Sequence, residues 1–457
     1  MRKKFKIAVC LMALLLVSIS FAGVCNAGYT YALHTKGLVN VIDESTGTVV
    51  ASINTDVNGN GSIVNTGGTL GALTPNGKKL YVSNAGAGMN TVTIIDAQTL
   101  TKITDIVIGP GDIRPKHGIV SPNGKWLGVN QWRRNPNGTL RVSFINTKTD
   151  TVHQNIDLAL TNPNSGTNQS MHSAWSWNSK YFFTSSYDDD KVFVFKAPHD
   201  KDGQFTLVAT YDLSISGQNN NPHYMAPSND GLSMWIVTEG PSGSFYNPAT
   251  PTVAPLLYIV NLETLNISGP LNTLLTTGEV IEGHHGSFSL DGKYFYFCNR
   301  GPGSNLKGIS VDVINANTRE IVAHVETAPL NTPEGDGHPY ISPDGKTVAI
   351  TKYGTNVLTF LDQSNNWAQT NLVVGTGIHI GHITFTPKGE TAFVMNRVDG
   401  AVYQIDGVGT APYVSKQIPI LLPDLLTPAG AGTGQVLNTY TNYFEIPGKI
   451  DDGVFEQ

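Results

Sequence analysis

The sequence predicts an all-β protein, a single β-propeller of four-stranded blades. One pattern occurs seven times along the chain: an apolar step, a turn rich in Pro, Asp, Asn and Gly, and a strand of alternating residues. Alternation with period two between turn-rich clusters is typical of antiparallel strands. Further strands follow, as in VTIIDAQTL and EIVAHVET, and four strands about every fifty residues form a propeller blade. The repeats are LGALTPNGKKLYVSN from Leu70, HGIVSPNGKWLGVN from His117, HSAWSWNSKYFFTSS from His172, HYMAPSNDGLSMWIV from His223, HGSFSLDGKYFYFCN from His285, HPYISPDGKTVAITK from His338 and HITFTPKGETAFVMN from His382.

The spacing of the repeats favours eight blades. The repeated histidines recur on average every 53 residues between positions 117 and 382, so residues 28–457 accommodate about eight repeats. Three strands, YTYALHT, LVNVIDE and TVVASIN, precede the first full repeat without an innermost strand, and the tail QVLNTYTNYFEI supplies a candidate for it. Closure by both termini removes the open edge of the sheet. Seven blades with a packed tail is the alternative.

Residues 1–27 are predicted to be a secretory signal peptide, and residues 28–457 the propeller domain. Arg2, Lys3, Lys4 and Lys6 precede an apolar run, and a small residue, Ala27, closes the segment, which is the layout of such a signal. A lipid anchor on Cys25 is the less favoured alternative. No later run is long and apolar enough to span a membrane. We therefore expect a periplasmic or secreted protein.

Charge and cysteine content narrow the possible partners. Removal of the signal would shift the formal net charge from −6 to −10, because the segment carries four positive and no acidic residues. An acidic surface argues against a nucleic-acid partner. Cys298 is the only cysteine after residue 27, so no intrachain disulfide is expected.

Histidines share one register of the repeat. Five of them stand four residues before the Ser or Thr of the turn, His223 holds the corresponding place in a repeat with one extra residue, and Leu70 replaces histidine in the first repeat. The first strand of each blade lines the central channel, so these side chains are expected to form a ring at one mouth. His284 adjoins His285 and would join the ring. The candidate metal ligands are His117, His172, His223, His284, His285, His338 and His382.

Imidazole suits copper, zinc, nickel and iron. Seven histidines are too many for one tetrahedral zinc, so a cluster of two to four ions, with copper favoured in an exported redox protein, or a planar ringed cofactor, fits the number better. The alternative is that these histidines are structural.

Glu282 and Asp336 precede histidines and are candidate proton-transfer residues, with loop charges as the alternative. Glu239, Lys352 and the YDDDK run at 187–191 are interpreted as loop charges and a solvated turn.

The chain resembles the haem-d1 propellers of periplasmic nitrite reductases and the wider group of YVTN-repeat propellers. The resemblance rests on the opening YALHTKGLVNVIDESTGTVVASINT and on LLTPAGAGTGQVLNTYTNYF, which is similar to the family's closing strand. It implies eight blades. In that family a histidine of the first full blade ligates the haem iron, and this chain has Leu70 there, so haem d1 is not expected. No Cys-x-x-Cys-His occurs, so no attached c-type haem is expected either.

A second resemblance lies in the ring. Nitrous oxide reductase and copper-dependent thiocyanate dehydrogenases are propellers in which a histidine ring with one adjacent pair holds a multinuclear copper centre. GHHGSFSLDGKYFYFCN is similar to the part with the adjacent pair, and the single histidines would supply the rest. This chain lacks the cupredoxin domain of nitrous oxide reductase, and those enzymes are usually given seven blades.

These observations lead to two hypotheses. The first is a periplasmic copper-dependent oxidoreductase that acts on a small inorganic substrate and exchanges electrons with a c-type cytochrome. The second is a non-catalytic propeller that binds a partner. Lactone hydrolysis is a weaker third reading, because those propeller sites depend on carboxylate and Asn ligands.

Overall fold

The computed structural model describes residues 28–438, with internal gaps. The predicted signal peptide, residues 1–27, and the tail from residue 439 lie outside the described residues. So do residues 56, 59–62, 65, 69, 133–134, 136–137, 161–171, 201, 216–219, 240–255, 273–281, 301–306 and 333–334.

The described chain forms eight antiparallel sheets of four strands each. Blade 1 holds β1 (Tyr29–His34), β2 (Leu38–Asp43), β3 (Thr48–Asn54) and the last strand, β32 (Thr433–Leu437). Blade 2 holds β4 (Leu70–Leu73), β5 (Lys79–Ser83), β6 (Thr91–Asp96) and β7 (Thr101–Val107). Blade 3 holds β8 (Pro115–Val120), β9 (Trp126–Gln131), β10 (Thr139–Asn146) and β11 (Thr151–Ala159). Blade 4 holds β12 (Ser173–Trp175), β13 (Tyr181–Ser186), β14 (Lys191–Lys196) and β15 (Thr206–Asp212).

Blade 5 holds β16 (Pro222–Pro227), β17 (Ser233–Thr238), β18 (Leu256–Asn261) and β19 (Ile267–Asn272), and blade 6 holds β20 (Glu282–Phe288), β21 (Tyr294–Arg300), β22 (Lys307–Asn315) and β23 (Ile321–Thr332). Blade 7 holds β24 (Gly335–Ile341), β25 (Thr347–Tyr353), β26 (Val357–Asp362) and β27 (Ala368–Val373). Blade 8 holds β28 (Ile380–Phe385), β29 (Thr391–Asn396), β30 (Ala401–Asp406) and β31 (Tyr413–Pro419). The described helices are two 3-10 turns, Tyr187–Asp189 and Gln363–Asn365. Among the described residues, no helix is long and apolar enough to cross a membrane.

The prediction of an all-β, eight-bladed propeller is confirmed. The first strands of neighbouring blades contact one another in an unbroken circle: β4, β8, β12, β16, β20, β24, β28 and β32. The ring is closed as predicted, because β32 pairs antiparallel with β1 and becomes the innermost strand of blade 1. Both ends of the described chain therefore belong to one sheet, and each of the eight described blades has four strands.

One turn design explains the repeated sequence pattern. In blade 6 the Ser289 hydroxyl donates to Asp291 at 2.6 Å and accepts the Tyr294 N–H at 3.0 Å. Gly292 stands at φ +69°, in the left-handed region that glycine enters without a steric penalty. The same Ser-to-Asp or Asn bonding occurs in blades 3, 4, 5 and 7. This turn fixes the pairing register of the first strand of these blades, and thereby the position of the ring residue along the channel axis.

The hydrophobic core is divided among the blade interfaces. Each of eight buried clusters joins the facing sides of two neighbouring blades; Tyr296 and Cys298 of blade 6, for example, pack with Val348 and Ile350 of blade 7. Cys298 is fully buried, and its pKa is raised well above its ordinary value by that burial. Each blade is therefore held by both neighbours.

Replacing Gly286 by alanine is expected to destabilise the fold by about 3 kcal/mol, because the new Cβ would overlap the buried ring of Phe295 and force the core apart. Gly118 occupies the equivalent position in blade 3, where a Cβ would lie 3.1 Å from the Ser83 hydroxyl. Gly118→Ala is thus the milder, matched control. Urea unfolding followed by tryptophan fluorescence measures both, and equal stabilities of the two variants would contradict this account.

Candidate metal centre

The histidines lie where the innermost strands begin, and in five of the six blades that carry them a β-bulge aims them at the axis. The pairing register shifts between Pro115 and Gly118, Pro222 and Tyr224, Gly283 and Gly286, Gly335 and His338, and Ile380 and Ile383. Each shift falls on or beside a histidine of that strand. In the described part of β4, which carries Leu70, the pairing is regular. Bulges of this kind re-aim side chains near functional sites.

The ring positions themselves line one axial cavity. They are Leu70, His117, His172, Tyr224, His285, His338 and His382, with Gln435 from blade 1. In blade 5 the ring position is occupied by Tyr224, which pairs with Val237 and stands four residues before the turn residue Ser228. The expectation that His223 holds the ring register is therefore wrong. His223 stands one residue earlier, level with His284, because the extra residue of the repeat is absorbed in the bulge.

All seven predicted ligand histidines nevertheless form one continuous cluster. Their ring centroids lie 4.2 Å apart for His117 and His172, 4.7 Å for His172 and His285, and 3.8 Å for the stacked rings of His285 and His338. His223 and His284 lie at 4.5 Å from each other and each contacts His285. His382 completes the series at 5.6 Å from His338. His285 is the centre, since it contacts four other imidazoles.

Three of these rings have nitrogens without a protein partner. Among the described residues, the ring nitrogens of His117, His172 and His285 form no hydrogen bond, and the three side chains line the axial cavity. His285 is buried, and His117 and His172 are half-buried. Nitrogens that face a cavity without a protein partner are available to a metal ion or to water.

The remaining histidines are oriented by second groups. Glu239 accepts from His223 Nδ1 at 2.5 Å, and its other oxygen accepts from the Tyr187 hydroxyl. His284 Nδ1 lies 3.3 Å from the Gly337 carbonyl, and the Tyr340 hydroxyl lies 2.8 Å from His382 Nδ1. A carboxylate or carbonyl on Nδ1, as in His223 and His284, fixes the tautomer and leaves Nε2 available to a metal. This arrangement is typical of ligand histidines. The Tyr340 hydroxyl can donate or accept, so it orients the His382 ring without fixing its tautomer.

The electrostatics keep four of these imidazoles neutral. Burial lowers the pKa of His117, His172 and His285 well below 6.5, and neighbouring positive groups lower it further: Lys116 and other histidines for His117 and His172, and other histidines for His285. Burial lowers the pKa of His382 to about 4, with a smaller effect from His379. Neutral imidazole is the form that binds metal ions. These four side chains are therefore in the binding form at pH 7.

The nitrogens converge closely enough for more than one ion. Ligand atoms lie within 4.8 Å of one another in three overlapping groups: His172, His223 and His285; His284, His285 and His338; and His223, Glu239 and His284. Since the Glu239 oxygen bonds to His223, we assign it to orientation rather than to ligation. His117 and His382 flank these groups. The cavity that His117, His172, His285, His338 and His382 line has a volume of about 70 Å³, enough for a few water-sized groups.

The proposed proton-transfer residues lie partly outside the described structure. Glu282 and Asp336 belong to the strands β20 and β24, but their side chains lie outside the described residues, so their role stays a prediction. Whether the seven histidines ligate a metal also stays a prediction, although the structure brings them together.

Sequence reasoning missed several buried charges. Glu239 is 1% exposed and Lys352 is 1% exposed, so their interpretation as loop charges is wrong. Lys352 donates to the Thr327 carbonyl at 3.0 Å. The YDDDK turn is likewise not solvated, since Asp189 and Asp190 are buried. Their place in the sequence could have indicated the burial, because each charge lies at the end of a blade's second strand or directly after it.

Lys116, the neighbour of His117, is a further cation at this site. Its ammonium group lies 4.7 Å above the ring of Trp132. Burial lowers its pKa to about 8, against the opposing effect of Glu239. The mouth of the ring therefore holds positive charge beside the neutral imidazoles.

Comparisons with known proteins establish the fold. No family model and no curated protein matches the chain. The structure of dihydro-heme d1 dehydrogenase NirN in complex with DHE is similar, with a TM-score of 0.63 and 13% identity over 91% of this chain and 76% of that chain. Hydrazine synthase of Kuenenia stuttgartiensis has a TM-score of 0.53 and 15% identity over 75% of this chain and 96% of that chain. The periplasmic gluconolactonase PpgL of Pseudomonas aeruginosa has a TM-score of 0.51 and 16% identity over 76% of this chain and 96% of that chain.

Proposed function

We propose that this protein is an exported, copper-dependent oxidoreductase that acts on a small inorganic substrate at the histidine cluster. The observation that carries the proposal is the convergence of the imidazoles, whose ligand atoms lie within 4.8 Å of one another in three overlapping groups. In His117, His172 and His285, which line the cavity, the ring nitrogens have no hydrogen-bond partner among the described residues. Neutral, converging and unbonded nitrogens are what a metal-binding site presents before its metal is bound.

Copper is favoured by the donor set. The groups offer imidazole nitrogen almost exclusively, and the buried Cys298 belongs to a blade-interface core. Imidazole-rich sites bind Cu²⁺ more tightly than other divalent first-row ions. Overlapping groups that share His223 and His285 suit a cluster of at least two ions. Bound copper would supply one-electron chemistry, and the neutral imidazoles of this chain would hold it.

Haem d1 is not proposed, although dihydro-heme d1 dehydrogenase NirN is among the similar structures. Leu70 lines the cavity at the ring position of blade 2, and an aliphatic side chain cannot ligate iron. This position therefore supplies no ligand for a haem iron.

The remaining features of the proposal concern the substrate, proton transfer, the electron partner and export. Lys116 at the mouth favours an anionic or polar substrate, Glu282 and Asp336 remain the proposed proton-transfer residues, and a c-type cytochrome is the proposed electron partner. Export to the periplasm or beyond rests on the predicted signal peptide, residues 1–27, and is in keeping with the periplasmic propeller among the similar structures.

The test is metal content. The full chain is exported to the periplasm of copper-supplied cells, purified without chelators and measured by mass spectrometry with a visible spectrum. We expect two or more copper ions per chain and charge-transfer or d–d absorption. A colourless protein that stays metal-free after incubation with Cu²⁺ would overturn the proposal and leave the alternative, a non-catalytic propeller that binds a partner.

A further inference from the structure

The buried turn at Tyr187–Asp190 is tied to His223 by a closed circuit of hydrogen bonds. The Asp190 carboxylate accepts the backbone N–H groups of Asn220 and Asn221, each at 2.7 Å. The Asn221 carbonyl accepts the Glu239 N–H at 3.0 Å. Glu239 then holds both His223 Nδ1 and the Tyr187 hydroxyl. The circuit returns to its start through the Asp190 N–H and the Tyr187 carbonyl, 3.4 Å apart.

This circuit joins two blades around one ligand. Tyr187 and Asp190 belong to the turn between β13 and β14 of blade 4, whereas Asn221 and Glu239 flank β16 and β17 of blade 5. Asp190, Asn221, His223 and Glu239 are all at most 5% exposed. The position of His223 against the ring is therefore set by a neighbouring blade and not only by its own strand.

Two residues with positive φ lie in the circuit. Asp190 and Asn221 adopt φ values of +52° and +49°, which lie in the left-handed region. Asp and Asn tolerate this conformation better than other residues with a side chain. Here it allows one carboxylate to meet two successive N–H groups shortly before the metal-site strand.

We propose that Tyr187 and Asp190 are positioning residues that lock Glu239 onto His223, and thereby fix His223 as a metal ligand with Nε2 facing His172 and His285. The inference rests on the proposed function, since it assigns a role to residues behind one subsite of the cluster. The phenol holds one oxygen of Glu239, which leaves the other oxygen aligned with Nδ1. The Asp190 carboxylate holds the backbone immediately before His223.

The test compares Tyr187→Phe with Tyr211→Phe. Tyr211 is a matched control, because its hydroxyl donates to the Leu265 carbonyl at 2.8 Å and also joins blades 4 and 5, away from the histidines. Competition of copper-loaded protein with a chelator measures affinity. We expect Tyr187→Phe to lower the affinity of the weakest-held copper by about tenfold, as for other groups that orient ligands, while Tyr211→Phe lowers thermal stability and leaves the affinity unchanged.

A metal-free readout separates this inference from the proposed function. Nitrogen-15 spectra of histidine-labelled protein report the tautomer of each imidazole, and we expect the Nδ1–H tautomer of His223 to dominate in the parent and to lose population in Tyr187→Phe. Unchanged tautomer and affinity in Tyr187→Phe would overturn the inference. A parent protein that binds no copper but shows the expected tautomer change would overturn the proposed function and keep the positioning role.

Discussion

Replacing His285 by alanine is expected to remove the bound copper almost completely. His285 is 7% exposed and its ring contacts those of His172, His223, His284 and His338. It also belongs to two of the three converging groups. Losing one nitrogen therefore takes a ligand from two subsites at once, and the copper content should fall from two or more ions per chain to well under one.

The matched control for this loss is His199→Ala, because His199 is fully exposed and lies away from the cluster. Mass spectrometry of both variants after identical export and purification gives the copper content, and near-UV circular dichroism reports whether the propeller is intact. Full copper content in a folded His285→Ala protein would show that the cluster is not the binding site.

Acid is expected to destabilise the metal-free protein between pH 6.5 and 4, because buried histidines resist protonation. Burial lowers the pKa of His382 from 6.5 to about 4, so in this interval the unfolded chain takes up a proton that the folded chain does not. Stability is therefore full above pH 6.5 and is lost as the pH falls towards 4. For His382 alone the shift corresponds to about 3 kcal/mol, and His117, His172 and His285 change stability in the same direction.

The contribution of His382 is isolated by comparing chelator-treated parent and His382→Gln proteins. Urea unfolding at a series of pH values gives the free energy of unfolding, and the parent curve should fall more steeply than the variant curve between pH 6.5 and 4. Above pH 7 the two curves should run parallel. Parallel curves throughout would contradict the burial of a neutral imidazole at this position.

Local sequence determined the architecture. The turn residues, such as Ser289, Asp291 and Gly292, act through bonds within six residues of one another, so the pattern could be read directly from the chain. The alternation of apolar residues then specified which side of each strand is buried. Because each blade repeats the same local arrangement, the blade number and the closure by β32 followed from spacing.

The repeat also determined which histidines share a site. Equivalent positions of a closed repeat face one axis, so His117, His172, His285, His338 and His382 could be grouped before any contact was known. His284 followed as the neighbour of His285. The repeat predicted their convergence, whereas the β-bulges beside them are seen only in the structure.

The tertiary structure alone decided how the site is built behind that ring. The bulge that replaces His223 by Tyr224 at the axis, and the burial of Glu239 and Lys352, depend on packing between blades. The Tyr187–Glu239–His223 contact joins residues 52 and 16 positions apart in the chain. A repeat pattern carries no information about such contacts, because it describes what the blades have in common. The second groups that orient the histidines are where the blades differ.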